Sequence, residues 1–231
     1  DTLKPLFDRT VQAQYPPGSI FKTVVALAGM QMGVIDPNKG TYCSGTYTLG
    51  RVYKCSHVHH QIPNVQEAIG HSCNVYFYQK IQDIINKYGA DKPAKGLDEF
   101  AGYMTQFGLG KVLGLDYFNE LPGTIPTDAY YKRHYYRLFR DSTWKAAYEI
   151  SIGIGQGVIQ LTTVQMANLC AGIANRGFWY TPHFYKGVIK DHKLVPQNKF
   201  IEKHKINIDA KHFEVVIDGM ERAVLGGTAR V

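Results

Sequence analysis

The stretch Tyr15-Pro16-Pro17-Gly18-Ser19-Ile20-Phe21-Lys22-Thr23-Val24-Val25-Ala26-Leu27-Ala28 decides how the chain is read. Tyr-Pro-Pro-Gly is a run of turn formers, and from Ser19 apolar residues recur at helical spacing through Ile20, Val24, Leu27, Ala28 and Met32 up to Gly33. The spacing predicts a buried helix over 19–32 with Ser19 near its N-terminus, where free backbone N–H groups and the helix dipole favour negative charge. Ser19 and Lys22 are three residues apart, so their side chains share one face and the Lys22 amine can approach the Ser19 hydroxyl. A serine hydroxyl is a weak nucleophile until a base takes its proton, and a lysine desolvated among apolar groups can be neutral enough to do so. The N-terminal turn also places backbone N–H groups where an oxyanion would develop. Taken alone, so short a pattern as Ser-x-x-Lys far more often marks an N-cap serine followed by a solvated lysine, so its meaning rests on the rest of the chain.

Working outward, apolar spacing predicts a short helix over 65–69 and a longer one over 74–88, with Val75, Tyr78, Ile81, Ile84 and Ile85 on one face. Ser72-Cys73-Asn74 falls at the break between them, where its side chains can point into a cleft. A second serine there can relay a proton to a leaving group, and an asparagine can hold a substrate amide and the lysine; taken by itself, an ordinary N-cap before the following helix fits the triplet equally well. Further helices are expected over 97–107, 163–175 and 213–225, and strand over 178–189. The segment 36–63 reads as hairpin-like loops without helix, and 121–144 as long and irregular, dense in Tyr, Arg and Lys.

The 231 residues are enough for one large domain or two small ones, and 45% hydrophobic with 19% charged residues is a folding composition, which excludes a disordered chain. Only four cysteines in this length exclude a disulfide scaffold. The longest apolar run, Thr23 to Ala28, is far short of the roughly 18 residues a membrane-spanning helix needs. Twenty-six Lys and Arg against 19 Asp and Glu leave +7, a bias toward anionic partners. The run Tyr130-Tyr131-Lys132-Arg133-His134-Tyr135-Tyr136-Arg137 has the aromatic and basic groups that single-stranded nucleic acid stacks on and pairs with; the reading preferred is a solvated surface loop with aromatics packed beneath, and no nucleic-acid partner is expected. Gly153-Ile154-Gly155-Gln156-Gly157 lacks the spacing and acidic partner of a dinucleotide fingerprint.

Cys170 lies in an apolar helical segment and is expected to be a buried small hydrophobe. Cys43, Cys55 and Cys73 cluster in sequence with several histidines. With His60 they form a Cys₃His set suited to a closed structural zinc site, with His59 able to replace His60; a Cys43–Cys55 disulfide or free thiols are the other readings.

With Ser-x-x-Lys and Ser-x-Asn in this order, the chain resembles the penicillin-binding protein transpeptidases. It is similar in particular to their class B, elongation-type branch, penicillin-binding protein 2. The likeness lies in Tyr15–Lys22, in Asn74-Val75-Tyr76-Phe77-Tyr78-Gln79, in Ile152-Gly153-Ile154-Gly155-Gln156-Gly157 and in Leu161-Thr162-Thr163-Val164-Gln165-Met166, and covers nearly the whole chain. The resemblance implies an α+β fold of the penicillin-binding and β-lactamase type, here mostly its helical part with few strands. It implies a serine D,D-transpeptidase that cross-links peptidoglycan stem peptides through a Ser19 acyl-enzyme and is trapped by β-lactams. Lys22 would be the base, Ser72 the proton relay and Asn74 the amide-holding group. It further implies the periplasmic face of the bacterial inner membrane and elongation-machinery membrane proteins as partners. Some Gram-negative members carry a zinc near the active site with one ligand in the middle of Ser-x-Asn; Cys73 matches that position, Cys55 and His60 fall near the matching places, and Cys43 completes the set. The family's third motif, Lys-Thr-Gly, does not occur, so the expectation is a fragment of the transpeptidase domain without that strand or the N-terminal anchor and pedestal, inactive by itself. Other readings are a β-lactam-hydrolysing or sensing protein of the same fold, and a zinc-stabilised domain that binds an anionic polymer.

Overall fold

In the computed structural model, which describes residues 7–141, 143–145, 147 and 149–230, the organising element is helix α1 (Lys22–Gln31). Every residue from Lys22 to Met30 is buried, as expected of a helix apolar on all sides and packed all round. Its neighbours are α2 (Val65–Gly70), α3 (Asn74–Ile85), α4 (Pro93–Gln106) and α8 (Ala210–Leu225). The remaining helices are α5 (Asp128–Phe139), α6 (Thr163–Ala174) and the short α7 (Asn198–Ile201). The expected face of α3 is buried through Val75, Tyr78, Ile81, Ile84 and Ile85, together with Tyr76 and Phe77. α6 starts at a capping box: Thr162 accepts from the Gln165 N–H while the Gln165 side chain accepts from the Thr162 N–H.

Strands occur as five two-stranded antiparallel ribbons among the described residues. β1 (Gln14–Tyr15) pairs β6 (Leu161–Thr162), anchoring the approach to α1 against the start of α6. β2 (Thr41–Cys43) pairs β5 (His60–Ile62) in the register Cys43 to His60, and β3 (Thr46–Leu49) pairs β4 (Arg51–Lys54). These four strands are the hairpin-like part of 36–63. β7 (Phe178–Trp179) pairs β10 (His204–Lys205), and β8 (Val188–Lys190) pairs β9 (Lys193–Val195). Mixed helices and short strands make this an α+β fold.

Three expectations need correction. The irregular reading of 121–144 misses α5, which Thr127 caps by accepting from the Tyr130 N–H and which is seated by the buried Tyr131 against Trp144, ring centroids 5.1 Å apart. The basic aromatic run is thus a surface helix, not a loop. Strand over 178–189 survives only at its two ends, because the Asp116 carboxylate accepts the backbone N–H groups of Phe184 and Tyr185 and takes them out of any ladder. Cys170 is exposed: on α6 the buried pair is Leu169 and Ile173, four residues apart, and Cys170 is turned off that stripe.

Candidate active site and adjoining metal centre

Ser19 lies in a 3₁₀ turn, Gly18–Phe21, that runs directly into α1, so Lys22 opens the α-helix instead of sitting one turn inside it. The turn is pinned from the distant Gly-Ile-Gly-Gln-Gly segment. The Gly18 N–H donates to the Gly155 carbonyl at 2.9 Å, and a Cβ on Gly155 would come within 2.2 Å of the Gly18 oxygen. Gly155 also has φ +69°, so glycine is required there both for its left-handed backbone and for the close approach.

The other half of the site is the α2–α3 junction. Ser72 adopts φ +51°, uncommon outside glycine, and Cys73 is the extended N-cap residue of α3. This bend turns the Ser72 and Asn74 side chains toward α1. Lys22 Nζ donates to the Ser72 carbonyl at 2.6 Å, to Ser72 Oγ at 2.7 Å and to Asn74 Oδ1 at 2.7 Å, and Ser72 Oγ donates to Ser19 Oγ at 2.9 Å. Lys22 is only 1% exposed. Burial pushes its ammonium down from 10.5 to about 8, against an upward pull from Cys55 and Cys73. Ser19, Lys22, Ser72 and Asn74, drawn from two separate sequence segments, therefore form one hydrogen-bonded chain. Ser19 itself is exposed, and a cleft of about 300 Å³ opens beside it and Ser72, walled by Ile69, Leu169, Ile173 and Met220.

Behind Asn74 stands the sulfur cluster. Ligand atoms of Cys43, Cys55, His59 and Cys73 all lie within 4.8 Å of one another. His59 Nδ1 is 3.5 Å from Cys43 Sγ and 3.6 Å from Cys55 Sγ. Three sulfurs and one imidazole nitrogen in that compass match the donors and the roughly 3.8 Å edges of a tetrahedral zinc site, so the residues fit such an ion. The expected ligand His60 is not among them. It is exposed, has φ +55°, and brings Nδ1 to 3.4 Å from the Tyr42 hydroxyl, while the preceding residue turns inward. Cys73 donates to Cys55, which holds the Cys55 thiol down to about 3, helped by the N–H groups of Val75, Asn74 and His57; the same bond and burial push Cys73 up.

Two contacts escaped the sequence reading. Cys55 Sγ accepts the Asn74 N–H at 3.2 Å, and the Lys54 carbonyl accepts from Asn74 Nδ2 at 3.3 Å, so the end of β4 orients the amide that holds Lys22. Nothing in the sequence separates Lys54 from any other strand residue. The adjacency of Cys55 to Asn74 was accessible only through the proposed metal set.

Comparison with known proteins gives the same assignment from end to end. The profile of the penicillin binding protein transpeptidase domain matches residues 1–231. The chain is 29% identical over 231 residues to the peptidoglycan D,D-transpeptidase MrdA of Acinetobacter baumannii, covering 98% of this chain and 32% of that protein. It superposes on Pseudomonas aeruginosa PBP2, solved in complex with WCK 5153, with a TM-score of 0.77 at 28% identity, over 96% of this chain and 47% of that one. On the complex of PBP2 with MreC from Helicobacter pylori the TM-score is 0.77 at 25% identity, over 99% and 39% of the two chains. The chain spans about a third of the length of the curated relatives it matches. It belongs to the penicillin-binding protein transpeptidase family.

Proposed function

We propose that the chain forms the nucleophile half of a serine D,D-transpeptidase that cross-links peptidoglycan stem peptides and is acylated by β-lactams. The observation that carries this is the continuous chain Ser19 Oγ, Ser72 Oγ, Lys22 Nζ, Asn74 Oδ1, every link between 2.7 and 2.9 Å. With its ordinary value pushed down to about 8, Lys22 is neutral in roughly one molecule in ten at pH 7, enough for a general base. Neutral Lys22 accepts the Ser19 proton through Ser72 as Ser19 Oγ attacks the carbonyl of the terminal D-Ala–D-Ala bond. When that C–N bond breaks, the proton returns along the same path to the leaving amine. The acyl-enzyme on Ser19 is then attacked by the amine of a second stem peptide, which releases Ser19. Asn74 keeps Lys22 aimed and presents its amide to the substrate.

Zinc bound by Cys43, Cys55, His59 and Cys73 would supply a structural cross-link, with no chemistry on the substrate. These residues would join the 41–62 ribbons to the start of α3 and so hold Ser72 and Asn74. The family's Lys-Thr-Gly would come from a part of the protein outside these residues, and the domain would act at the periplasmic face of the inner membrane. The PBP2–MreC complex of Helicobacter pylori supports elongation-machinery proteins as partners.

A fluorescent penicillin tests the reading on the full-length protein. Stable label on the Ser19 peptide, lost in Ser19→Ala, is expected. Label retained in Ser19→Ala would transfer the nucleophile elsewhere, and rapid loss of label by turnover would make the protein a hydrolase.

A further inference from the structure

The β8–β9 hairpin stands out from the fold uncovered. All six strand residues, Val188–Lys190 and Lys193–Val195, are exposed, with Ile189 and Leu194 open to solvent by 74% and 48%. Among the described residues neither strand pairs with anything but the other. A lone two-stranded hairpin is marginal in water and gains stability from a third strand or a packed face. Its charge is also one-sided: residues 183–199 hold four lysines and a single acid, Asp191. Lys190 and Lys193 stand directly opposite each other, a like-charge pair that weakens the ribbon. Among the described residues neither they nor Lys186 has an ion-pair partner.

The two edges of the hairpin differ. Its loop is two residues long, Asp191 at φ +49° and His192 at φ +60°, so the flanking Lys190 and Lys193 exchange their backbone bonds. The next pair, Ile189 and Leu194, then turns its N–H and C=O groups outward. On β9 the following position of that parity is Pro196, which has no N–H and closes the edge. On β8 it is Gly187, which keeps its N–H. Side chains alternate across the ribbon, with Ile189 and Leu194 on one face and Lys190 and Lys193 on the other.

We propose that the β8 edge binds an extended protein segment in which acidic and apolar residues alternate, taken up as a third strand in the more stable antiparallel direction. An apolar residue opposite Ile189 lies on the aliphatic face, and the acidic residues that alternate with it lie on the lysine face, opposite Lys190 and toward Lys186. Main-chain bonds to Ile189 supply affinity, and the lysines select the sign of the partner's charge. The same lysines repel a second copy of this hairpin, so self-pairing is not the use of the edge. A lipid surface fits less well, because the tip, Lys190-Asp191-His192-Lys193, is charged and the aliphatic residues lie behind it.

The test uses the full-length protein and a fluorescein-labelled Glu-Val-Glu-Val-Glu-Val-Glu peptide, followed by fluorescence anisotropy beside the corresponding Lys-Val peptide. The expected result is saturable binding of the glutamate peptide alone, with hydrogen exchange slowed at the Ile189 amide. N-methylation of the central valine removes the N–H that meets the Ile189 carbonyl and should weaken binding about tenfold, whereas N-methylation of the next glutamate, whose N–H points away, should change it by less than about a factor of three. Lys190→Glu combined with Lys193→Glu should weaken the glutamate peptide about tenfold or more and transfer the preference to the lysine peptide. No binding, equal loss from the two methylations, or a charge-reversed variant that still prefers the glutamate peptide would each overturn the proposal. So would slow exchange at Ile189 before any peptide is added, since another part of the full-length protein would then already occupy the edge. None of these measurements needs acyl transfer, so they stand or fail apart from the transpeptidase function.

Discussion

Replacing Lys22 by methionine isolates the energetic cost of holding a cation inside the protein. Lys22 is 1% exposed, and burial lowers its ammonium from 10.5 to about 8. The folded chain then releases the proton first, so between about pH 8 and 10.5 the unfolded chain binds more protons and stability rises with pH. Below pH 8 both states are protonated and the penalty is present in full; above 10.5 it is gone. At about 1.4 kcal/mol per pH unit the gap corresponds to about 3 kcal/mol. The three acceptors of Nζ favour the charged form, which makes this an upper limit. Urea unfolding of wild type and Lys22→Met, followed from pH 7 to 10.5 with chelator and reductant present, removes contributions common to both. Wild type should gain up to about 3 kcal/mol on the variant across that window. A difference that stays flat, or that falls as pH rises, would refute the argument that Lys22 is poised by desolvation.

Removing the relay in Ser72→Ala leaves Lys22 with the backbone carbonyl and Asn74, and should slow penicillin acylation by about 10² to 10⁴ while thermal stability changes little. Rates within a factor of three of wild type, from stopped-flow labelling, would take Ser72 out of the proton path. Gly155→Ala places a Cβ 2.2 Å from the Gly18 oxygen and 2.7 Å from Phe21 Cβ at φ +69°, so a loss of about 2 kcal/mol or more is expected from denaturant melts. Zinc content after purification should drop in Cys55→Ser and in His59→Ala yet hold near one per chain in His60→Ala. Metal lost with His60 and kept without His59 would reverse the ligand assignment.

Much of this architecture could be read from residue order because the governing forces are local. α1 and α3 were legible since their apolar positions repeat with the helical period, and Ser19 and Lys22 share a face by spacing alone. α5 was not, because its helical state depends on the Thr127 cap and on one buried aromatic, Tyr131, while Tyr136, Leu138 and Phe139 stay exposed and blur the pattern. The choice between His59 and His60 depends on a single positive φ at the first residue of β5, His60, which no periodicity encodes. The strand expected near 184–185 was lost to a carboxylate sixty-eight residues earlier in the chain, Asp116. Ser72 and Asn74 were legible as a motif, but their meeting with Lys22 is a tertiary event.

The bond from Gly18 to Gly155, and the pairing of Gln14 with Thr162, set an order on biosynthesis. Closing a loop of that span costs about 4 kcal/mol of chain entropy, which those few backbone bonds cannot offset until the intervening helices have packed. A chain made at 5–20 residues per second exposes its serine roughly 7–30 s before the strand that anchors it exists. The nucleophile turn is therefore among the last parts to take shape, and an interrupted translation product ending before residue 155 would carry the serine without the anchored turn that presents it.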